Sequence, residues 1–142
     1  MYTREDAARL IDESEGQVID TSEPDVKGHS HSHVGSAKTP ALHLPSRRKL
    51  TTMYRNRTQA EKDLRDWLNR YSVELTALPN GGELKLTHRV SKPRQVYQAK
   101  PVGAEYSYAG EAVRSLSRQE LFVKIVKDDK GKLHLRTMYL KS

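Results

Sequence analysis

Three groups of side chains in this 142-residue chain could do chemistry together. Gly28-His29-Ser30-His31-Ser32-His33-Val34-Gly35 offers three alternating imidazoles, and Arg47-Arg48-Lys49 follows as a basic cluster. Near the C-terminal end, Leu133-His134-Leu135-Arg136-Thr137-Met138-Tyr139-Leu140 closes on a Thr-x-Tyr pair. Residues two apart in a strand share a face, so Thr137 and Tyr139 are expected side by side, continuing the face begun by Leu133 and Leu135. An apolar strand face that turns polar at its end suits a site at the rim of a core. Imidazole, guanidinium, hydroxyl and phenol together can act on a phosphodiester without a metal. The preferred general acid/base is His33, because an imidazole reaches both protonation states near pH 7. Two other readings of the segment stay open: a metal site built from His29, His31 and His33, and a polar loop that is merely rich in histidine.

Composition narrows the chemistry. Cysteine is absent, which excludes disulfides, thiolate nucleophiles and Cys-ligated zinc. No carboxylate cluster suggests a Mg²⁺ site, so no metal or other cofactor is expected. No apolar run approaches the ~18 residues of a membrane span, and the N-terminus lacks the apolar stretch of a signal peptide. The net charge of +7 is unevenly spread. Residues 1–27 carry −5 and the remainder +12. A basic body favours a polyanionic ligand, because phosphate contacts supply most sequence-independent nucleic-acid affinity. The expected organisation is an acidic leader with a short helix over 1–27, packed on or linked to a domain over 28–142.

The elements that must position these groups follow from periodicity. Tyr2 to Asp12 predicts a short helix with Thr3 as N-cap, acidic Glu5 and Asp6 in its first turn, and Ala7, Leu10 and Ile11 as its apolar stripe. Residues 20 to 32 predict a loop, and Pro40 and Pro45 limit Lys38 to Leu50 to short turns. Ala60, Leu64, Trp67, Leu68, Tyr71 and Leu75 predict one long helix from Thr58 to about Leu78, stopped by Pro79-Asn80-Gly81-Gly82. Glu83 to Val90 alternates as a strand, and Arg94 to Lys100 is a weaker one. Residues 101 to 118 read as an extended loop. Glu120 to Lys127 and Leu133 to Leu140 flank Asp128-Asp129-Lys130-Gly131 as a hairpin. Helices first and then a mostly antiparallel twisted sheet make an α+β fold.

Three blocks then resemble a known family. Gly28-His29-Ser30-x-x-His33-Val34-Gly35 is similar to the Gly-His-Thr-x-x-His-Val-Gly signature of ribonuclease A-like toxin domains, found at the C-termini of bacterial contact-dependent growth inhibition proteins. Thr52-Met53-Tyr54-Arg55-Asn56-Arg57-Thr58-Gln59-Ala60-Glu61 resembles that family's Ser-Thr-Phe-x-Asp-x-x-x-Ala-Glu element, which opens the central helix. Leu121 to Tyr139 resembles the closing hairpin that ends in Thr-x-Tyr. The blocks span residues 28 to 139 in the family's order.

The resemblance implies a kidney-shaped α+β fold of the pancreatic ribonuclease type without disulfides. It implies RNA cleavage by one His, one Arg and a Thr/Tyr pair, which fall on His33, Arg48, Thr137 and Tyr139. Arg47 is the other candidate arginine, since Pro40 and Pro45 lengthen the segment that carries it. The partners implied are RNA, tRNA among the candidates, and a dedicated immunity protein, expected to be acidic. The place implied is the producer's surface, as part of a larger secreted protein, with action in the target cell's cytoplasm. Tyr139, His31 or water could complete the proton transfers, and His29 is a further possible site residue. Arg55, Arg57, Arg89 and Arg94, with Lys85 and Lys92, are candidates for tracking the RNA backbone, and Tyr97, Tyr106 and Tyr108 for stacking on bases. Two other classes fit the charge and the loops: a non-catalytic basic RNA-binding module and a protein-binding adaptor.

Overall fold

The computed structural model describes residues 1–14, 51–54, 57–90, 95–102, 105–115 and 120–141. Helix α1 (Arg4–Ser14) opens the chain. Thr3 and Asp6 cap it reciprocally: Asp6 N–H donates to Thr3 Oγ1 at 3.2 Å, and Thr3 N–H donates to the Asp6 carboxylate at 2.9 Å. This exchange satisfies backbone donors that the first turn leaves orphaned, and the Thr3 N–H bond holds the Asp6 carboxyl below its ordinary range. Ala7, Leu10 and Ile11 are buried on one stripe.

After β1 (Thr51–Tyr54), helix α2 (Arg57–Arg70) buries Ala60, Leu64, Trp67 and Leu68, spaced to share one face. The long helix expected from the sequence is broken at Tyr71, whose φ of −107° and ψ of 24° leave the helical region. Helix α3 (Ser72–Ala77) resumes beyond it. The Tyr71 ring packs 5.0 Å from Trp67 and 6.1 Å from His88, centroid to centroid. Leu78 turns extended ahead of Pro79, and Gly81, at φ +81°, takes the left-handed turn into the sheet. Lys127 Nζ donates to the Leu75 carbonyl at 2.8 Å, a cation at the negative end of α3.

The strands are β2 (Glu83–Arg89), β3 (Gln95–Val102), β4 (Glu105–Ser115), β5 (Glu120–Lys127) and β6 (Leu133–Lys141). They form two three-stranded sheets, ordered β1-β3-β4 and β2-β5-β6, and every pairing is antiparallel. The α+β class is therefore present, with two departures from the expected order. A strand, β1, precedes α2, and β4 occupies much of the stretch read as a loop.

One core joins α1, α2, α3 and the inner face of β2-β5-β6. Leu121, Val123, Ile125, Leu135, Met138 and Leu140 line it from the sheet, with Leu84, Leu86 and Leu133 packed at its margin. The acidic start of the chain is thus part of the core through α1. Among the described residues three ion pairs fasten it: Arg4 to Glu61 at 3.3 Å, Arg57 to Asp12, and Lys132 to Glu13 at 3.6 Å.

Candidate functional site

The β6 residues are placed by a bulge. In register, Lys124 opposes Thr137 and Ile125 opposes Leu135, so Arg136 is an extra residue on β6. The strand reads inward at Leu135, outward at Thr137 and inward again at Met138, with Leu135 and Met138 both in the core. Thr137 and Tyr139 do share a face, as period 2 requires. That face is not the one begun by Leu133 and Leu135, because the bulge turns it over.

The outer face of β2-β5-β6 therefore carries rows that cross all three strands. Lys85, Lys124 and Thr137 form one row, and Thr87, Phe122 and Tyr139 form the next. On one side lie Glu83, Val126 and His134, and on the other Arg89 and Glu120. Phe122 and Tyr139 stack with ring centroids 5.0 Å apart and planes at 38°. The Lys124 ammonium lies 5.8 Å from the Phe122 centroid, within cation–π range. Arg136 reaches across the sheet to Glu83 at 2.8 Å, a bridge that crosses β5 at the buried Val126.

Two polar atoms on this side of β6 stand out. Thr137 is only 4% exposed, and its Oγ1 has no hydrogen-bond partner among the described residues. A buried hydroxyl left unpaired costs about 1–3 kcal/mol. The other is Nδ1 of His134, also buried without a partner among the described residues. The opposite ring nitrogen, Nε2, lies 2.8 Å from an Asp128 carboxylate oxygen. An ionised carboxylate only accepts, so Nε2 carries the proton and Nδ1 is an acceptor in the neutral ring. Burial works to raise the Asp128 carboxyl, but the His134 hydrogen bond and the N–H groups of Lys132 and Lys130 outweigh it and hold it below its ordinary range. A carboxylate-oriented imidazole is the arrangement general acid/base chemistry uses. Sequence reading does not single out this dyad, although the signal was a histidine in a strand six residues after the aspartate that opens its hairpin.

His29, His31, His33, Arg47, Arg48, Arg55 and Arg94 lie outside the described residues. Lys85 and Arg89 reach the outer face through β2. Arg57 is committed elsewhere: its guanidinium pairs with Glu61 at 3.2 Å and with Asp12, and donates to the Ala8 carbonyl at 3.4 Å. The block around it has other structural duties. Tyr54 OH donates to Asp63 at 2.8 Å, Gln59 donates to the same carboxylate at 2.9 Å, and Ala60 is fully buried. These contacts fix the passage from β1 into α2.

His88 belongs to the inner side, on the face of Leu84 and Leu86, with its ring edge to face with Tyr71. Burial lowers its pKa, Arg70 adds to the effect, and Asp63 and Asp66 oppose it. Among the described residues no group of three or more His, Cys, Asp or Glu could hold a metal ion, and no helix is long and apolar enough to cross a membrane. No protein-family model matches this chain, and neither a curated protein nor a solved structure matches it.

Proposed function

We propose that this chain is a metal-independent endoribonuclease, the toxin domain of a contact-dependent growth inhibition protein, held in check by an acidic immunity protein. The observation that carries the reading is the outer face of β2-β5-β6. There Thr137 and Tyr139 stand side by side with Lys85, Lys124 and Arg89, cations without an ion pair among the described residues. A phosphodiester needs such a set: cations for its charge, hydroxyls for its oxygens, and an acid/base nearby.

The reaction is transphosphorylation. The RNA 2′-oxygen attacks phosphorus as its proton passes to a general base, and the bond to the 5′-oxygen breaks as that oxygen takes a proton from an acid. His33 fills one of these roles, as the family resemblance implies. Arg48 clamps the phosphorane oxygens, where charge develops, with Arg47 as its alternative. Thr137 donates to a phosphate oxygen, and Tyr139 exchanges the second proton. An acidic immunity protein over this face would compete with RNA, because complementary potentials speed encounter and fix orientation.

RNA incubated with the protein in excess chelator is expected to yield fragments ending in a 2′,3′-cyclic phosphate, and His33→Ala is expected to abolish them. Loss of activity with chelator would sink the metal-free mechanism. RNA bound but left intact by the parent chain would instead favour the non-catalytic RNA-binding module.

A further inference from the structure

We propose that Lys85, Lys124 and Thr137 form a phosphate subsite on the outer face of the β2-β5-β6 sheet, which takes a phosphodiester of the RNA strand beside Tyr139. The proposal rests on the reading of the chain as one that acts on RNA.

Lys85 and Lys124 are direct partners in the β2–β5 ladder. Side chains so placed have Cβ atoms about 4.5–5.5 Å apart, and like charges at that separation disfavour the fold. Among the described residues some cations are paired and others, Arg89 among them, are not. Arg4, Arg57, Arg65, Lys132 and Arg136 each have a carboxylate within ion-pair distance. No ion pair among the described residues reaches Lys85 or Lys124. Glu83, the acid in the adjoining row, is held by Arg136 at 2.8 Å. Glu120 lies beyond Phe122 and opposes Arg89 and Lys141.

The third member supplies an independent sign. Thr137 opposes Lys124 on the far strand, is 4% exposed, and has an Oγ1 without a hydrogen-bond partner among the described residues. Two unneutralised ammonium groups and an unspent hydroxyl thus lie in one line across three strands. The line spans about 10 Å at the usual strand spacing. All three can donate to oxygen, so the ligand they fit is an anion with several acceptor oxygens, and a phosphodiester is one. The adjoining row holds Tyr139, so a phosphate here lies next to the proposed acid/base group.

The test uses the full chain and a single-stranded 2′-deoxy oligonucleotide, which carries phosphates but cannot be transphosphorylated. Affinity is measured across a salt series for the parent, Lys85→Gln, Lys124→Gln and Lys130→Gln, the last a control in the exposed hairpin turn. Each of the first two substitutions is expected to weaken binding severalfold and to reduce the salt slope by about 0.7, the value for one phosphate contact on a single strand. The control should match the parent. Without ligand, Lys85→Gln is expected to melt higher than the parent, because a like-charge pair is relieved. Parent-like affinity and slope in both lysine variants, with RNA still cleaved, would overturn the subsite and leave the ribonuclease reading standing. Lysine-dependent binding with no RNA cleavage would support the subsite and remove the ribonuclease. A parent that holds no oligonucleotide at low salt overturns the subsite outright.

Discussion

Thr137 separates a structural hydroxyl from a functional one. Its side chain is buried and its Oγ1 unpaired among the described residues, so replacing the hydroxyl by a methyl of similar size removes a desolvation cost. Thr137→Val is expected to stabilise the fold by about 1 kcal/mol, read by denaturant unfolding, while RNA cleavage falls. A destabilised variant would mean that the hydroxyl has a partner in solution; a stabilised and fully active one would take Thr137 out of the mechanism. Asp128 makes a second residue-scale prediction. Its folded pKa lies below the ordinary 3.8, so its hydrogen bonds to His134, Lys130 and Lys132 contribute stability that is present above the unfolded value. That contribution is lost as pH falls through the folded value. Asp128→Asn should therefore be less stable than the parent at neutral pH, with the gap narrowing below about pH 4 in acid melts. A gap that is constant with pH would show that the charge is not what matters.

At the scale of elements, what could be read from sequence was what local pattern encodes. The Thr3 cap, the stripe on α1 and the β5–β6 hairpin came from residues within a few positions of one another. The break at Tyr71 did not, since no glycine or proline marks it, and the Tyr71 ring packs on Trp67 and His88, the second distant in sequence. Strand β4 was missed for a similar reason. Its Glu105-to-Ser115 sequence has small residues and a glycine where a strand usually shows branched ones, and its order comes from the ladder with β3. The common face of Thr137 and Tyr139 was legible from period 2, but not which face, since the bulge at Arg136 exists only against β5. Arg57 carries the element-scale prediction. It ties α2 to α1 through Asp12 and the Ala8 carbonyl, contacts partly open to solvent and so modest in strength. Arg57→Ala is expected to cost about 1–2 kcal/mol and to speed amide exchange in α1, with RNA affinity and its salt slope unchanged. A lowered slope at parent stability would return Arg57 to the RNA-binding set.

For the molecule as a whole, charge alone suggests an acidic leader that is either packed on the rest of the chain or linked to it. The first 27 residues carry −5 against +12 in the rest, which reads as a leader and a body. Helix α1 sets Leu10 and Ile11, 3% and 0% exposed, into the cluster that also holds Leu64, Trp67, Leu68 and the inner face of β5 and β6. A second seam, through which Tyr2 N–H donates to Asn69 at 2.7 Å and Asn69 donates back to the Tyr2 carbonyl at 3.0 Å, runs along the same contact. Acidic residues on the outside of a helix say nothing about where its apolar stripe goes, and the stripe of α1 lies in the core. Ile11→Ala should then cost about 2–5 kcal/mol, the range for opening a cavity in a packed core, out of the roughly 5–15 kcal/mol a domain has in total. Because that core is shared, the loss is expected to appear in one transition, with Trp67 fluorescence and far-ultraviolet circular dichroism melting together at a lower temperature. An early melting step confined to helical signal, with the Trp67 transition unmoved, would show instead that α1 docks on a body stable without it.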